Sequence, residues 1–216
     1  MNIASNIQKI KNSLPENVTL IAISKTKSKE EIMGAYHAGQ RIFGENRVQE
    51  LEIKQQQLPK NIEWHMVGHL QRNKVKYIAP FVSMIHAVDT IRLLKEINRQ
   101  AKSNHRVIDC LLQMKIAEED TKFGMTAKEI IEIMQSEELK EFKNIRIRGL
   151  MAMATFTEDT NQINREFETI NKLYQKLKTT YDWDVLSIGM SGDYSLAIKN
   201  GSNMVRIGSS IFGERN

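Results

Sequence analysis

The feature that most constrains the fold is a regular alternation of short apolar runs with helical segments. Eight apolar runs occur along the 216 residues, and no two of them follow one another directly. Alternation of this kind predicts a parallel sheet with helical crossovers. Eight repeats in a chain of this length predict a closed (β/α)8 barrel. We expect a single domain over residues 1–216, with an amphipathic helix at 1–14 packed on the barrel.

The alternative fold is a doubly wound open sheet. The usual sign of that fold, a G-x-G-x-x-G turn after the first strand, is missing from the sequence. The strands are predicted at 18–24, 41–46, 63–68, 81–88, 107–116, 145–154, 185–190 and 204–207. The helices are predicted at 1–14, 28–37, 49–57, 72–78, 89–102, 126–135, 160–179 and 194–199.

Charge and cysteine content restrict the class of protein. The net charge is +5, but the basic residues are spread along the chain and their densest clusters, 72–76 and 143–148, are short. This distribution favours a solvated basic surface over a nucleic-acid interface. The single cysteine, Cys110, lies in an apolar run, which predicts a buried thiol in a reducing compartment. Because no signal peptide and no membrane-length apolar run is found, we expect a cytoplasmic protein.

The first strand ends at a lysine. Residues 18–24 form an apolar, β-branched run typical of a strand buried on both faces, and Lys25 follows directly. A lysine at such a strand end can reach into a semi-enclosed pocket, where desolvation favours its neutral form. A neutral amine attacks aldehydes to form a Schiff base. Lys27 shares the strand parity of Lys25 and competes for this role, and a strand-end lysine that extends into solvent is the structural alternative.

Two glycine-bearing turns follow the seventh and eighth strands. They lie at 188–193 and 206–210, and both contain serine hydroxyls. Loops at these two positions of a barrel commonly bind phosphate. The residues predicted to line this mouth of the barrel are Lys25, Asn46, His69, Met153 or Thr155, Ser191 and Arg206. An aldehyde-reactive amine facing a phosphate site suits pyridoxal 5′-phosphate (PLP), or a sugar phosphate in a Schiff-base aldolase.

Seven motifs, in order and at consistent spacing, resemble one known family. They lie at 22–27 (AISKTK), 43–50 (FGENRVQE), 64–74 (WHMVGHLQRNK), 122–124 (KFG), 149–151 (GLM), 187–193 (SIGMSGD) and 205–213 (VRIGSSIFG). The chain resembles the pyridoxal phosphate homeostasis proteins, which are stand-alone relatives of the N-terminal barrel of alanine racemase. The resemblance implies an alanine racemase-like barrel, PLP as cofactor and a role in vitamin B6 homeostasis.

The resemblance also implies the roles of individual residues. Lys25 would form the Schiff base with PLP, and Arg206 would lie at the pyridine nitrogen. The phosphate would be bound by Ser191, Gly208 and Ser209, and the pocket would be lined by Asn46 and Met190. The family more often has Thr at position 209 and an acidic residue at position 192, where this chain has Ser209 and Gly192.

Two features argue against a dedicated enzyme. A guanidinium donates hydrogen bonds and never accepts them, so Arg206 would keep the pyridine nitrogen unprotonated, which weakens the ring as an electron sink. The resemblance further implies that the second base of alanine racemase comes from a separate β-domain, and we expect this chain to lack that domain. We therefore expect a PLP carrier that hands the cofactor to PLP-dependent apo-enzymes, with no catalytic residue and no metal. A weak PLP enzyme such as a racemase, a Schiff-base aldolase and a pure interaction module remain the alternatives.

Other residues receive structural interpretations. His65 and His69 have metal-like spacing, but Gly68 and the strand prediction break the helix that such a pair needs. Trp64, Met151 and Met153 are interpreted as core residues. We expect a monomer that binds neither nucleic acid nor membrane.

Overall fold

The computed structural model of the protein describes residues 2–118 and 123–214. Its strands are β1 (Thr19–Ile23), β2 (Ile42–Glu45), β3 (Glu63–Met66), β4 (Met84–Val88), β5 (Ile108–Gln113), β6 (Ile145–Met151), β7 (Val185–Ser187) and β8 (Met204–Ile207). Its α-helices are α1 (Ile3–Ser13), α2 (Lys29–His37), α3 (Val48–Gln57), α4 (Val75–Ile78), α5 (Ile91–Ser103), α6 (Ala127–Gln135), α7 (Glu137–Lys140), α8 (Thr160–Tyr181), α9 (Tyr194–Lys199) and α10 (Ser209–Phe212). A 3-10 turn, Arg72–Lys74, precedes α4.

The strands form a closed parallel barrel in which each pairs with its neighbours in sequence and β8 pairs with β1. The prediction of a closed (β/α)8 barrel is confirmed, and the open sheet is excluded. Closure places Ala22 of β1 beside Ile207 of β8. The carboxyl ends of all eight strands therefore meet at one mouth, where the loops after β1, β7 and β8 are neighbours.

Apolar side chains form two layers. The layer inside the barrel is small and includes Ile21, Met84, Leu111, Met151 and Met204. The larger layer lies between the strands and the helices, where α5 buries one face, Leu93, Leu94, Ile97 and Ala101. Alternation of buried residues on each strand supplies both layers, because successive side chains point to opposite faces.

Helix starts follow from the sequence. Ser28 caps α2 and Thr126 caps α6, each through a reciprocal capping box with the glutamate three residues later.

Helix α1 packs on α2 and α10, and the Asn6 amide donates to the Ile211 carbonyl (3.0 Å). Within residues 2–118 and 123–214, no helix combines the length and the apolar character needed to cross a membrane.

Some predicted boundaries are wrong for identifiable reasons. The fourth strand was predicted from residue 81, but Phe81 and Val82 donate backbone hydrogen bonds to the Ile78 carbonyl and lie in the turn after α4. Helix α7 was not predicted. The seventh strand ends at Ser187 rather than at residue 190, because Gly189 has φ +95° and turns the chain toward α9.

Candidate functional site

One cavity of about 690 Å³ opens at the carboxyl ends of the strands. Its volume lies within the range of about 300–1,000 Å³ that is usual for small-molecule sites. The seven residues predicted to bind the cofactor all line this cavity: Lys25, Asn46, Met190, Ser191, Arg206, Gly208 and Ser209. The other predicted mouth residues, His69, Met153 and Thr155, line it as well.

Lys25 lies two residues beyond the end of β1 and is half-buried in the cavity wall. Lys27 also borders the cavity, but its ammonium donates to the Phe212 carbonyl (3.1 Å) and pairs with Glu31 (3.3 Å). These two contacts fix the position of the Lys27 ammonium beside the cavity.

The turns after β7 and β8 meet at the Ser191 hydroxyl. Ser191 Oγ accepts hydrogen bonds from the backbone N–H of Gly208 (3.2 Å) and of Ser210 (3.5 Å). Two backbone donors that converge on one oxygen form a concavity suited to an anion. We call Ser191, Gly208, Ser209 and Ser210 the hydroxyl cradle. The contribution of Ser210 was not predicted, because only the folded turn brings its N–H toward Ser191.

Glycine and aspartate shape the turn that carries Ser191. A Cβ on Gly189 would lie 2.6 Å from the Ala197 Cβ, so only glycine lets α9 pack this close. Asp193 Oδ1 accepts from the Met190 N–H (2.5 Å) and fixes the same turn. Asp193 also lines the cavity, which the sequence did not reveal.

Arg206 is 4% exposed and lies beneath the cavity. One terminal nitrogen donates to the carbonyl (2.7 Å) and hydroxyl (2.8 Å) of Ser187, and the other donates to the Ala152 carbonyl (2.8 Å). Burial lowers the pKa of Arg206 to about 10, against the opposing effect of Asp193. The guanidinium therefore stays charged at neutral pH and presents donors only.

Asn46 reaches the mouth because the loop after β3 contains Gly68. A Cβ on Gly68 would lie 2.4 Å from the Asn46 carbonyl oxygen. Contacts this short do not occur, so the loops after β2 and β3 can cross only if residue 68 has no side chain. The Gly68 of the 64–74 motif thus has a structural role beside the site.

Aromatic rings lie at the rim of the cavity, where His69 was predicted but Phe123 and Phe156 were not. His69 stacks on Phe123 with ring centroids 3.9 Å apart, and its Nδ1 lies 3.2 Å from Asp89. Gln113 donates to the Phe123 carbonyl (3.0 Å), and Phe156 is 96% exposed at the same rim. Hydrophobic periodicity does not indicate which loop residues reach a site. Gln113 is the last residue of β5, so its position at a strand end could have identified it as a site residue. Lys122, the first residue of the 122–124 motif, lies outside the described residues.

The structure shows where the residues with predicted structural roles lie. Trp64 and Met151 are core residues as predicted. Met153 is half-buried: it packs against the apolar layer inside the barrel and also lines the cavity. His65 and His69 are separated: His65 lies inside the barrel and His69 on the rim. Over the described residues, no group of His, Cys, Asp or Glu is arranged to bind a metal.

Comparison with known sequences identifies relatives along nearly the whole chain. The family profile "Alanine racemase, N-terminal domain" matches residues 1–216. The pyridoxal phosphate homeostasis protein of Vibrio alginolyticus is 40% identical over 207 residues, which cover 93% of this chain and 88% of that protein. The protein of the same name from Escherichia coli is 38% identical over 209 residues, 93% of this chain and 87% of that protein.

Solved structures agree with this relationship. PipY of Synechococcus elongatus PCC7942, solved with PLP bound, has a TM-score of 0.89 and 32% identity, covering 98% of this chain and all of that one. Alanine racemase of Clostridium difficile 630 has a TM-score of 0.78 at 17% identity, covering 99% of this chain and 60% of that one, and shows the shared fold alone. This chain therefore belongs to the alanine racemase N-terminal domain family and, within it, to the pyridoxal phosphate homeostasis proteins.

Proposed function

We propose that this protein binds PLP at the barrel mouth, holds it covalently through Lys25, and serves intracellular PLP homeostasis. The observation that carries the proposal is that Lys25 and three residues of the hydroxyl cradle, Ser191, Gly208 and Ser209, border the same cavity. A ligand with an aldehyde at one end and a phosphate at the other would meet both. The names of the relatives and the PLP-bound neighbour support the same ligand.

The residues fit PLP by their own chemistry. Ser191 Oγ accepts from two backbone N–H groups, so its own proton is available to a phosphate oxygen. Lys25, Lys27 and Arg206 bring positive charge to the cavity against the carboxylates of Asp193 and Glu214. When bound, PLP supplies an aldehyde carbon with which a neutral lysine amine condenses with loss of one water. We assign Asn46 and Met190 to the cavity wall beside it.

Arg206 supports binding without a dedicated reaction. Its terminal nitrogens are fixed by Ser187 and Ala152, so the guanidinium is rigid, and it offers no acceptor. Next to a pyridine nitrogen it would donate and would hold that nitrogen unprotonated. Enzymes that draw electrons strongly into the ring place a carboxylate there instead. We therefore propose a carrier that delivers PLP to apo-enzymes, and we assign no residue to catalysis. We further propose that the carrier is a monomeric cytoplasmic protein with one domain over residues 1–216.

The deciding experiment is an absorption titration. The wild-type chain should develop a visible band with PLP, and borohydride should abolish the band and leave the label on Lys25 in a peptide map. Lys25→Ala should lose both signals, whereas Lys27→Ala should keep them. A label on Lys27, or a chain that stays colourless with PLP, would overturn the proposal.

The alternative functions give different results in the same series. A Schiff-base aldolase would be trapped by borohydride only in the presence of a sugar phosphate. A racemase would interconvert L- and D-alanine at ordinary enzymatic rates once loaded with PLP. An interaction module would give none of these signals.

A further inference from the structure

Thr26, the residue after Lys25, has an unfavourable backbone conformation. Its φ is +64°, in the left-handed region that β-branched residues avoid. Over the described residues, the other non-glycine positions with positive φ are His105 and Asp182, which lie just past the ends of α5 and α8, where left-handed residues are common. Thr26 is instead the third residue of the turn Ser24–Lys27, which the Lys27 N–H closes by donating to the Ser24 carbonyl (3.0 Å). Left-handed positions in such turns are usually taken by glycine or asparagine.

Side chains of α3 hold the backbone on both sides of Lys25. The Thr26 N–H donates to Glu50 Oε2 (2.9 Å), and Lys54 Nζ donates to the Ser24 carbonyl (2.8 Å). Lys54 Nζ also lies 3.0 Å from Glu50 Oε2, one helical turn away. Ser24 and Thr26, the residues before and after Lys25, therefore both hydrogen-bond to the ion pair formed by Glu50 and Lys54.

Lys54 also forms an ion pair with a buried carboxylate, that of Glu45. Glu45 at the end of β2 is fully buried, and its Oε1 accepts from Lys54 (2.7 Å) and from the Ser24 hydroxyl (2.6 Å). Its second oxygen, Oε2, has no hydrogen-bond partner among the described residues. Burial raises the pKa of Glu45 more strongly than Lys54 and Ser24 lower it. A buried carboxylate is costly to retain, and here it joins Lys54 to Ser24 beside Lys25.

We propose that Glu50 and Lys54, supported by Glu45, are positioning residues that hold Thr26 in its strained conformation and so fix the direction of the Lys25 side chain. The inference rests on the proposed function. Glu45, Glu50 and Lys54 do not line the cavity, so they would act on a ligand through neighbouring residues, and Lys25 is the one whose backbone is held on both sides. Local strain at a reactive residue persists when surrounding contacts enforce it, and these three residues supply such contacts.

The test is a double-mutant cycle between positions 26 and 50, read as the rate of covalent PLP attachment at Lys25. Glu50→Ala should slow attachment about tenfold or more, because small misplacements of a reacting group have large rate effects. Glycine adopts positive φ without strain, so in a Thr26→Gly background the same change should cost only about threefold or less. An equal factor in both backgrounds would show a charge effect of Glu50 and would overturn the inference.

Controls separate positioning from damage to the fold or the site. Glu52→Ala on the same helix should attach PLP at the wild-type rate, and Glu50→Ala should bind inorganic phosphate with unchanged affinity. Lys54→Met should also slow attachment, and if it fails to fold, Glu50→Ala and Thr26→Gly still decide the question. If Lys25→Ala keeps attachment, the proposed function fails. If only Lys25→Ala loses it and Glu50→Ala equals wild type, only this inference fails.

Discussion

His86 Nε2 lies 3.0 Å from His65 Nδ1 inside the barrel, and His86 Nδ1 lies 3.2 Å from Ser187 Oγ. Ser187 Oγ in turn accepts from Arg206 (2.8 Å). A continuous hydrogen-bond chain thus runs from the floor of the cavity through the barrel interior. All four side chains are buried, so each hydrogen bond stabilises a group that would be costly to leave unpaired.

The direction of proton donation along this series of hydrogen bonds follows from Arg206. A guanidinium cannot accept, so the Ser187 hydroxyl proton is available for His86 Nδ1. We therefore assign the His86 proton to Nε2, from which it is donated to His65 Nδ1. Both histidines are neutral in this arrangement. Burial lowers the pKa of His65 to about 3, and burial together with His65 and Arg206 lowers the pKa of His86 well below its usual value.

The first prediction is acid sensitivity caused by His65 and His86. An unfolded histidine takes up a proton near pH 6.5, whereas His65 in the folded chain does so only near pH 3. Their contribution to stability is therefore complete above pH 6.5 and is lost as the pH falls below it. Each histidine should lower the free energy of unfolding by about 1.4 kcal/mol per pH unit in that range.

Urea unfolding at several pH values between 7 and 4 measures this slope. His65→Gln and His86→Gln should each make it shallower, while His37→Gln on the exposed surface of α2 should not. Identical slopes for all four chains would show that the buried pair is not the source of acid sensitivity.

The second prediction concerns Cys110. The thiol lies fully buried in β5, and burial raises its pKa, so the reactive thiolate is suppressed. The native chain should resist thiol reagents, and labelling should proceed only as fast as the chain unfolds. Labelling rates measured across a urea series should follow the unfolding curve. Rapid labelling in the absence of urea would contradict the buried position.

The strand and site positions that the sequence predicted depend on patterns among residues that are close together in the sequence. The burial of β1 follows from its continuous apolar run, and the positions of Lys25 and Ser191 follow from the place of each strand end in a closed barrel. The seven-motif resemblance then assigned roles that alternation alone does not. Prediction was accurate where each residue's neighbours in sequence determine its environment.

The features that the sequence did not predict depend on contacts between distant residues. His65 and His86 lie on the neighbouring strands β3 and β4, 21 residues apart in sequence, and no pattern within either strand indicates their contact. Lys54 reaches Ser24 from 30 residues away, and no pattern within α3 indicates that contact. Such pairs can be identified only after the strands have been arranged in space.

The third prediction compares two glycines at the mouth. Gly68→Ala should place a Cβ 2.4 Å from the Asn46 carbonyl and destabilise the chain by about 1–3 kcal/mol. At Gly192 a Cβ meets nothing within 4 Å, so Gly192→Ala should change stability by less than about 0.5 kcal/mol. Gly192→Asp, which restores the residue type more common in the family, should fold equally well. Midpoints of urea unfolding would measure all three, and equal destabilisation by both alanines would contradict the close approach at Gly68.

The fourth prediction tests the hydroxyl cradle. Ser191 orders the turn by accepting from Gly208 and Ser210, and its own proton is available to a bound phosphate. Ser191→Ala should therefore weaken binding of PLP and of inorganic phosphate by about tenfold, the effect of losing one hydrogen bond to a charged group. Ser191→Thr keeps the hydroxyl and should bind within a few-fold of wild type. Thr157→Ala removes a hydroxyl from the same cavity without touching the cradle and should bind normally. Equilibrium titrations followed by absorbance for PLP, and by competition for phosphate, give the affinities. Equal weakening by Ser191→Ala and Thr157→Ala would place the phosphate away from the turns after β7 and β8.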